Sequence, residues 1–158
     1  MTDRAFSRGR GGFVLRFGAE ERALVSRLLD ELRSLLVNPV DAAMTARLFP
    51  VVHPDRPDQE AEYQRLMRDE LITSRLAGID TVKDVLAGDG KKATFTEDQL
   101  VAFMQALNSV RLVLGTMLNV TEDDEAEIGD DAPLVPEYQL YAYLSWVLDS
   151  AVHALSGI

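Results

Sequence analysis

Few side chains in this sequence have the type and spacing that active-site chemistry needs. The two histidines, His53 and His153, lie far apart and no cysteine is present. A zinc site would therefore have to be assembled from distant histidines and carboxylates. The absence of cysteine also excludes disulfides, thiol nucleophiles and an intrinsic thiol switch within these 158 residues.

The glycine-rich stretches lack the context of a nucleotide site. RGRGG precedes a short apolar run instead of following a strand, and Lys92 and Ala93 follow GK at Gly90 where a phosphate-binding loop needs serine or threonine. Carboxylate pairs such as Glu60 and Glu62 are common on helices. Without a pocket, nothing marks such a pair as the general acid and the general base of an active site. We predict no catalytic residue, no metal site and no bound cofactor.

The charged side chain that most needs an explanation is Arg111. It lies in QALNSVRLVLGTML, residues 105–118, on one helical stripe with Met104 and Leu118. A buried guanidinium needs carboxylate or carbonyl partners, because leaving it unpaired costs roughly several kcal/mol. We predict that Arg111 is an internal structural residue that pairs with an acid of the preceding long helix.

The first candidate for that acid is Glu70, seven residues after Tyr63 on the apolar side of its helix; Glu62 and Asp69 are the next candidates. Asn108 and Gly115, also seven apart, mark a second stripe where a neighbouring backbone can approach and be hydrogen-bonded. The predicted buried polar residues are thus Arg111, Asn108 and Glu70.

Four aromatic residues lie close together near the C-terminus: Tyr138, Tyr141, Tyr143 and Trp146. Aromatic residues at helical spacing usually fill a core. The alternative is a small-ligand binder or enzyme with a pocket between the helices near Arg111 and Trp146.

The elements around these residues predict a mainly α, compact helical bundle of about four long and two short helices. A helix spans residues 19–37 with leucines at helical spacing, a second starts at an Asp58 N-cap and ends at Gly78, and Thr96 caps a third. The fourth begins at Pro136. The short helices start at Asp41 and at residue 80.

A small N-terminal β-hairpin or edge sheet completes the predicted fold. FVLRF, residues 13–17, has strand character, RGRGG can turn the chain back towards Phe6, and Thr94 and Phe95 can add an edge strand. We expect a single domain over residues 1–158.

Charge separates the partner classes. The formal charge is −10, and residues 122–131 hold seven of the 26 acids, which leaves 19 acids against 16 bases elsewhere. Direct nucleic-acid binding is not expected, because it needs a basic surplus.

Residues 121–134 are predicted to be an acidic loop. Residues 1–12 can form a flexible basic arm whose Arg4, Arg8 and Arg10 either contact a partner or only add solubility. We expect no membrane span, no targeting segment and a cytoplasmic protein.

Several segments are similar, in order, to an actinobacterial domain-of-unknown-function family that includes the oxidative stress regulator AosR. LNSVRLVLGTML resembles the family pattern LNdxRLxLGxRL, with Ser109 where the family often has aspartate. FVLRFGAEERALVSRLLDELRSLL, ARLFPVVHPDRPDQEAEYQRL and YAYLSWVLDSAVHAL resemble its opening, centre and closing helix.

The resemblance implies a small helical, non-enzymatic regulator of transcription in stress responses. It implies action through protein partners such as an alternative sigma factor, and family genes that neighbour a protease adaptor gene leave a proteolysis-linked accessory role open. A homodimer is a further alternative. Because this chain has no cysteine, a thiol switch described for a relative cannot operate here.

Overall fold

Four helices and one three-stranded antiparallel sheet form the described part of the chain. The computed structural model describes residues 4–38, 48–49, 52–88, 93–118 and 136–157. In chain order the elements are β1 (Phe6–Gly9), β2 (Gly12–Leu15), α1 (Ala19–Val37), α2 (Pro57–Leu86), β3 (Ala93–Phe95), α3 (Glu97–Met117) and α4 (Pro136–Ser156). This confirms the predicted mainly α bundle with a small sheet.

The sheet has the order β1-β2-β3. Phe6 pairs with Leu15 in the hairpin, and β3 joins β2 with Phe13 opposite Phe95. Gly12 permits the turn because its φ is +143° and a Cβ atom there would meet the backbone oxygen of Phe95.

The flexible basic arm predicted for residues 1–12 is wrong from residue 5 onwards. Ala5 and Phe6 are buried, and the Phe6 ring centroid lies 5.2 Å from that of Phe103 on α3. The two apolar side chains anchor the hairpin to the core, so its arginines are held on a folded sheet.

Helix α1 has the predicted bounds. Val25, Leu29 and Leu32 are its most buried side chains. Arg33 pairs with Asp80 and Lys83 pairs with Asp30, which links α1 to α2 by ion pairs. These pairs lie near the surface and contribute little stability, so the helix is held mainly by its apolar stripe.

Helix α2 corrects two predictions. It begins at Pro57 after Arg56, without a side-chain cap, and Asp58 lies in its first turn. It also continues through Gly78, so the predicted short helix from residue 80 is the end of α2. One glycine costs a helix about 1 kcal/mol, and burial of Ile79 and Val82 just beyond it outweighs that cost.

Helix α3 lies at the centre of the bundle and contacts the other three helices. Thr96 accepts from the Gln99 N–H, and the Gln99 side chain accepts from the Thr96 N–H, which forms a capping box and confirms the predicted cap. By length and composition alone α3 is apolar enough to cross a membrane, yet half of that apolar window is buried inside the protein. Packing between helices accounts for its composition.

Two predicted elements fall outside the described residues. These are most of the short helix expected from Asp41 and the acidic loop expected at residues 121–134.

Candidate functional site

Arg111 lies half-buried between α3 and α4. Its Nη2 donates to Oδ1 of Asn108 at 2.9 Å, and its Nη1 donates to Oγ of Ser145 at 3.4 Å. The guanidinium carbon lies 6.0 Å from the ring centroid of Tyr141. The structure therefore brings Arg111 and Asn108 together, as two of the three residues predicted to be buried and polar.

The predicted pairing of Arg111 with Glu70 is wrong. Glu70 is exposed on α2, whereas Arg111 points towards α4. The side of α3 that faces α2 carries Ala106 and Ser109, which line a small cavity together with Gly78. At 100° per residue, Arg111 lies about 160° round the helix from Ser109, so no acid of α2 is its partner.

Arg111 has only neutral hydrogen-bond partners within the described ranges. Its Nε is buried and makes no hydrogen bond there. A guanidinium held by an amide and a hydroxyl orients two helices but neither activates a nucleophile nor shares a proton. Its contacts are those of a structural residue.

The aromatic residues divide between core and surface. Tyr141 is buried, and Trp146 is 39% exposed. The Tyr143 ring stacks on Trp146 with centroids 5.9 Å apart, and its hydroxyl donates to Oε2 of Glu21 at 2.7 Å. Burial, reinforced by the hydrogen bond and charge of Glu21, raises the pKa of Tyr143 above its ordinary value.

The pocket predicted as an alternative near Arg111 and Trp146 differs from the apolar pocket that the structure contains between α1, α3 and α4. Arg111 reaches α4 from α3, whereas Trp146 stacks on a tyrosine that is bonded to α1. Neither residue lines that cavity.

The three candidate partner-contact arginines differ in their surroundings. Arg8 donates from Nε to the carbonyl of Ala154 at 2.9 Å and from Nη2 to the carbonyl of Leu155 at 3.2 Å. It therefore satisfies carbonyls at the C-terminal end of α4 and adds positive charge where the helix dipole favours it. Arg4 and Arg10 are exposed.

Glu60 fixes the segment before α2. Its Oε1 accepts the backbone N–H groups of Val52 at 2.6 Å and His53 at 3.0 Å. These bonds, with that of His53 the largest cause, lower the pKa of Glu60. No group of three His, Asp or Glu side chains that could hold a metal ion occurs among the residues described.

An apolar pocket lies where α1, α3 and α4 meet. Its volume is about 150 Å³, and Glu31 is the one charged side chain that lines it among the residues described. Its apolar walls include Leu32, Leu35, Val113, Leu114, Met117 and Leu140. Sequence reasoning missed this α1–α3–α4 pocket, because its walls come from three helices whose arrangement the pattern does not encode.

Comparison with known proteins gives one family and a set of distant relatives. The family model described as a domain of unknown function, DUF2017, matches residues 3–155. Proteins named Oxidative stress regulator AosR, from Mycobacterium bovis and Mycobacterium tuberculosis, are 25% identical to the chain over 97 residues. The match covers 61% of this chain and 44% of each relative, so it spans less than half of the relatives' length. No solved structure matches the chain.

Proposed function

The chain belongs to the DUF2017 family, and from this membership we propose that it is a non-enzymatic regulator in the oxidative stress response. The observation that carries the proposal is the similarity to proteins named as oxidative stress regulators. We propose that it regulates transcription in the cytoplasm through contacts with other proteins.

The use of the polar side chains supports a non-enzymatic role. Arg111 joins α3 to α4, Arg8 satisfies the end of α4, and Glu60 holds the segment before α2. Each of these groups is engaged in supporting the fold. An enzyme needs some of its ionisable groups to converge on a substrate cavity. Within the described ranges, the α1–α3–α4 pocket is lined by one carboxylate among apolar side chains.

Charge and surface composition support a protein partner over nucleic acid. The formal charge of −10 repels the phosphate backbone. Large apolar side chains are exposed on three helices, with Leu66 on α2 at 61%, Met117 on α3 at 60% and Trp146 on α4 at 39%. Aromatic side chains and methionine are enriched in protein interfaces. The candidate partners are a sigma factor, a component of a proteolysis pathway and a second copy of the chain.

Affinity capture from the native cell, before and after peroxide treatment, tests this function. Mass spectrometry of the captured proteins distinguishes a sigma factor from a proteolysis component, and sedimentation of the purified chain detects a dimer. A deletion strain should show altered transcription after peroxide. Unchanged transcription together with no specific captured protein would contradict the proposal.

A further inference from the structure

Met117 combines exposure with a place in the wall of the α1–α3–α4 pocket. Its side chain is 60% exposed, and it lies in the last turn of α3 beside the pocket that Val113 and Leu114 also line. The other methionines within the described ranges, Met67 and Met104, are half-buried. Met117 is therefore the thioether of this set that a dissolved oxidant reaches most easily.

We propose that Met117 is an oxidation site through which hydrogen peroxide weakens the affinity of the α1–α3–α4 pocket for apolar groups. In this step the thioether sulfur attacks one peroxide oxygen, a sulfur–oxygen bond forms and the O–O bond breaks. The sulfur loses two electrons, and the second oxygen leaves as water after proton transfer. The product is methionine sulfoxide. The proposal rests on the proposed role in oxidative stress and deepens it.

The reaction changes the wall of the pocket chemically. A sulfoxide is polar and accepts hydrogen bonds, whereas the thioether that it replaces is apolar. Most of the pocket wall consists of leucine and valine side chains, and the pocket is partly open to solvent, so an apolar group that enters it loses water on the side that faces the wall. A sulfoxide beside the opening would keep water there and reduce the gain from burial.

Oxidation at this position has a route that does not need cysteine. The chain contains no cysteine, so the sulfur chemistry available to its own side chains is that of methionine. Methionine sulfoxide is reduced enzymatically by methionine sulfoxide reductases, and the modification is therefore reversible.

The first test measures which methionine reacts. The full chain is treated with hydrogen peroxide, and peptide mass spectrometry follows the gain of one oxygen at Met67, Met104 and Met117. We expect Met117 to react at least about threefold faster than the other two, because accessibility controls the rate. Equal or slower oxidation of Met117 would overturn the proposal.

The second test measures the pocket with benzene as the probe. An enclosed, engineered apolar cavity of about 150 Å³ in another protein binds benzene, and the pocket here has a similar volume of about 150 Å³ but is partly open to solvent. Methyl NMR shifts of Val113, Leu114 and Leu140 report benzene binding. We expect binding to the untreated chain, about tenfold weaker binding after peroxide, and recovery after incubation with methionine sulfoxide reductases. No binding by the untreated chain would overturn the proposal.

Two variants connect the modification with the pocket. Met117→Leu keeps an apolar wall but cannot be oxidised, so its benzene affinity should be unchanged by peroxide. Met117→Gln introduces a polar group and should bind benzene weakly without peroxide. Equal loss of affinity in wild type and Met117→Leu after treatment would contradict the proposal, as would unfolding of the oxidised chain detected by circular dichroism. These tests do not use the cellular role, so their failure leaves the proposed regulatory function standing.

Discussion

At the scale of single residues, the charge of Arg111 is held by neutral groups. Asn108 and Ser145 accept from its guanidinium, and both are half-buried, as is Arg111 itself. Removing one half of a buried ion pair strands a charge and typically costs about 3 to 5 kcal/mol. Removing Arg111 strands only an amide and a hydroxyl, which water can reach.

Replacing Arg111 with methionine should therefore lower the free energy of unfolding by about 1 kcal/mol, the worth of a typical hydrogen bond. Urea unfolding measures this change. In a double-mutant cycle, Glu70→Gln should show a coupling to Arg111→Met below about 0.5 kcal/mol, because the two residues share no contact. A loss of unfolding free energy of about 3 kcal/mol, together with strong coupling, would support the Arg111–Glu70 pair that the structure contradicts.

Tyr143 should make the stability of the fold sensitive to alkaline pH. Burial and the neighbouring Glu21 raise its pKa in the folded state, while tyrosine in the unfolded chain ionises near pH 10. Its contribution is therefore complete below about pH 10 and is lost as the pH rises from there towards the folded pKa. Between about pH 9 and pH 11, Tyr143→Phe should lose less unfolding free energy than wild type.

Urea unfolding at the two pH values measures that difference. Tyr138→Phe is the matched control, because the Tyr138 hydroxyl donates to the backbone carbonyl of Leu118 and not to a carboxylate. Identical pH dependence of stability for wild type and Tyr143→Phe would show that Glu21 and burial do not raise the pKa of this tyrosine.

At the scale of elements, α2 contains a glycine that its packing does not require. Gly78 lies in the helix interior, and a Cβ atom placed there would meet no heavy atom within 4 Å. The position has helical geometry and no packing need for glycine. Its presence therefore costs conformational entropy without a compensating contact.

Gly78→Ala should raise the free energy of unfolding by about 0.5 to 1 kcal/mol, because alanine lowers the entropy of the unfolded chain and favours the helix. Thermal unfolding measures the gain. Gly12→Ala is the contrasting variant, since the positive φ and the nearby Phe95 backbone make a side chain there strained. A loss of stability in Gly78→Ala would mean that the α2–α3 interface needs closer approach than the structure shows.

At the scale of the whole molecule, charge controls which partners can approach. The formal charge of −10 includes the seven acids of residues 122–131, and the rest of the chain is also slightly acidic. Long-range repulsion therefore acts on any polyanion, whereas a basic protein surface is attracted. This property is independent of which helix face makes the contact.

A fluorescent DNA duplex should accordingly show no saturable binding to the isolated chain at about 0.15 M salt. Fluorescence anisotropy measures the binding. A basic peptide of similar size serves as the positive control for the assay. Saturable, sequence-specific binding that survives this salt concentration would contradict the prediction and would require a local basic face.

Local signals predicted much of this fold, and features that depend on several helices escaped prediction. The bounds of α1 and the Thr96 cap follow from residues that are neighbours in sequence. The stripe of α3 on which Arg111 lies could also be predicted. The hydrogen-bond partner of Arg111 could not, because periodicity does not say which neighbouring helix covers a stripe. The exposure of Met117 beside an apolar pocket likewise depends on where α1 and α4 pass.

The contact between Arg8 and the end of α4 has a consequence for how the protein is made. Arg8 and Ala154 are separated by 146 residues. At translation rates of about 5 to 20 residues per second, a ribosome needs roughly 7 to 30 seconds to add that length of chain. During this interval the hairpin has been synthesised, but the carbonyls that Arg8 binds do not yet exist. Phe6 likewise lacks the rings of Phe95 and Phe103, against which it packs, until β3 and α3 have been synthesised.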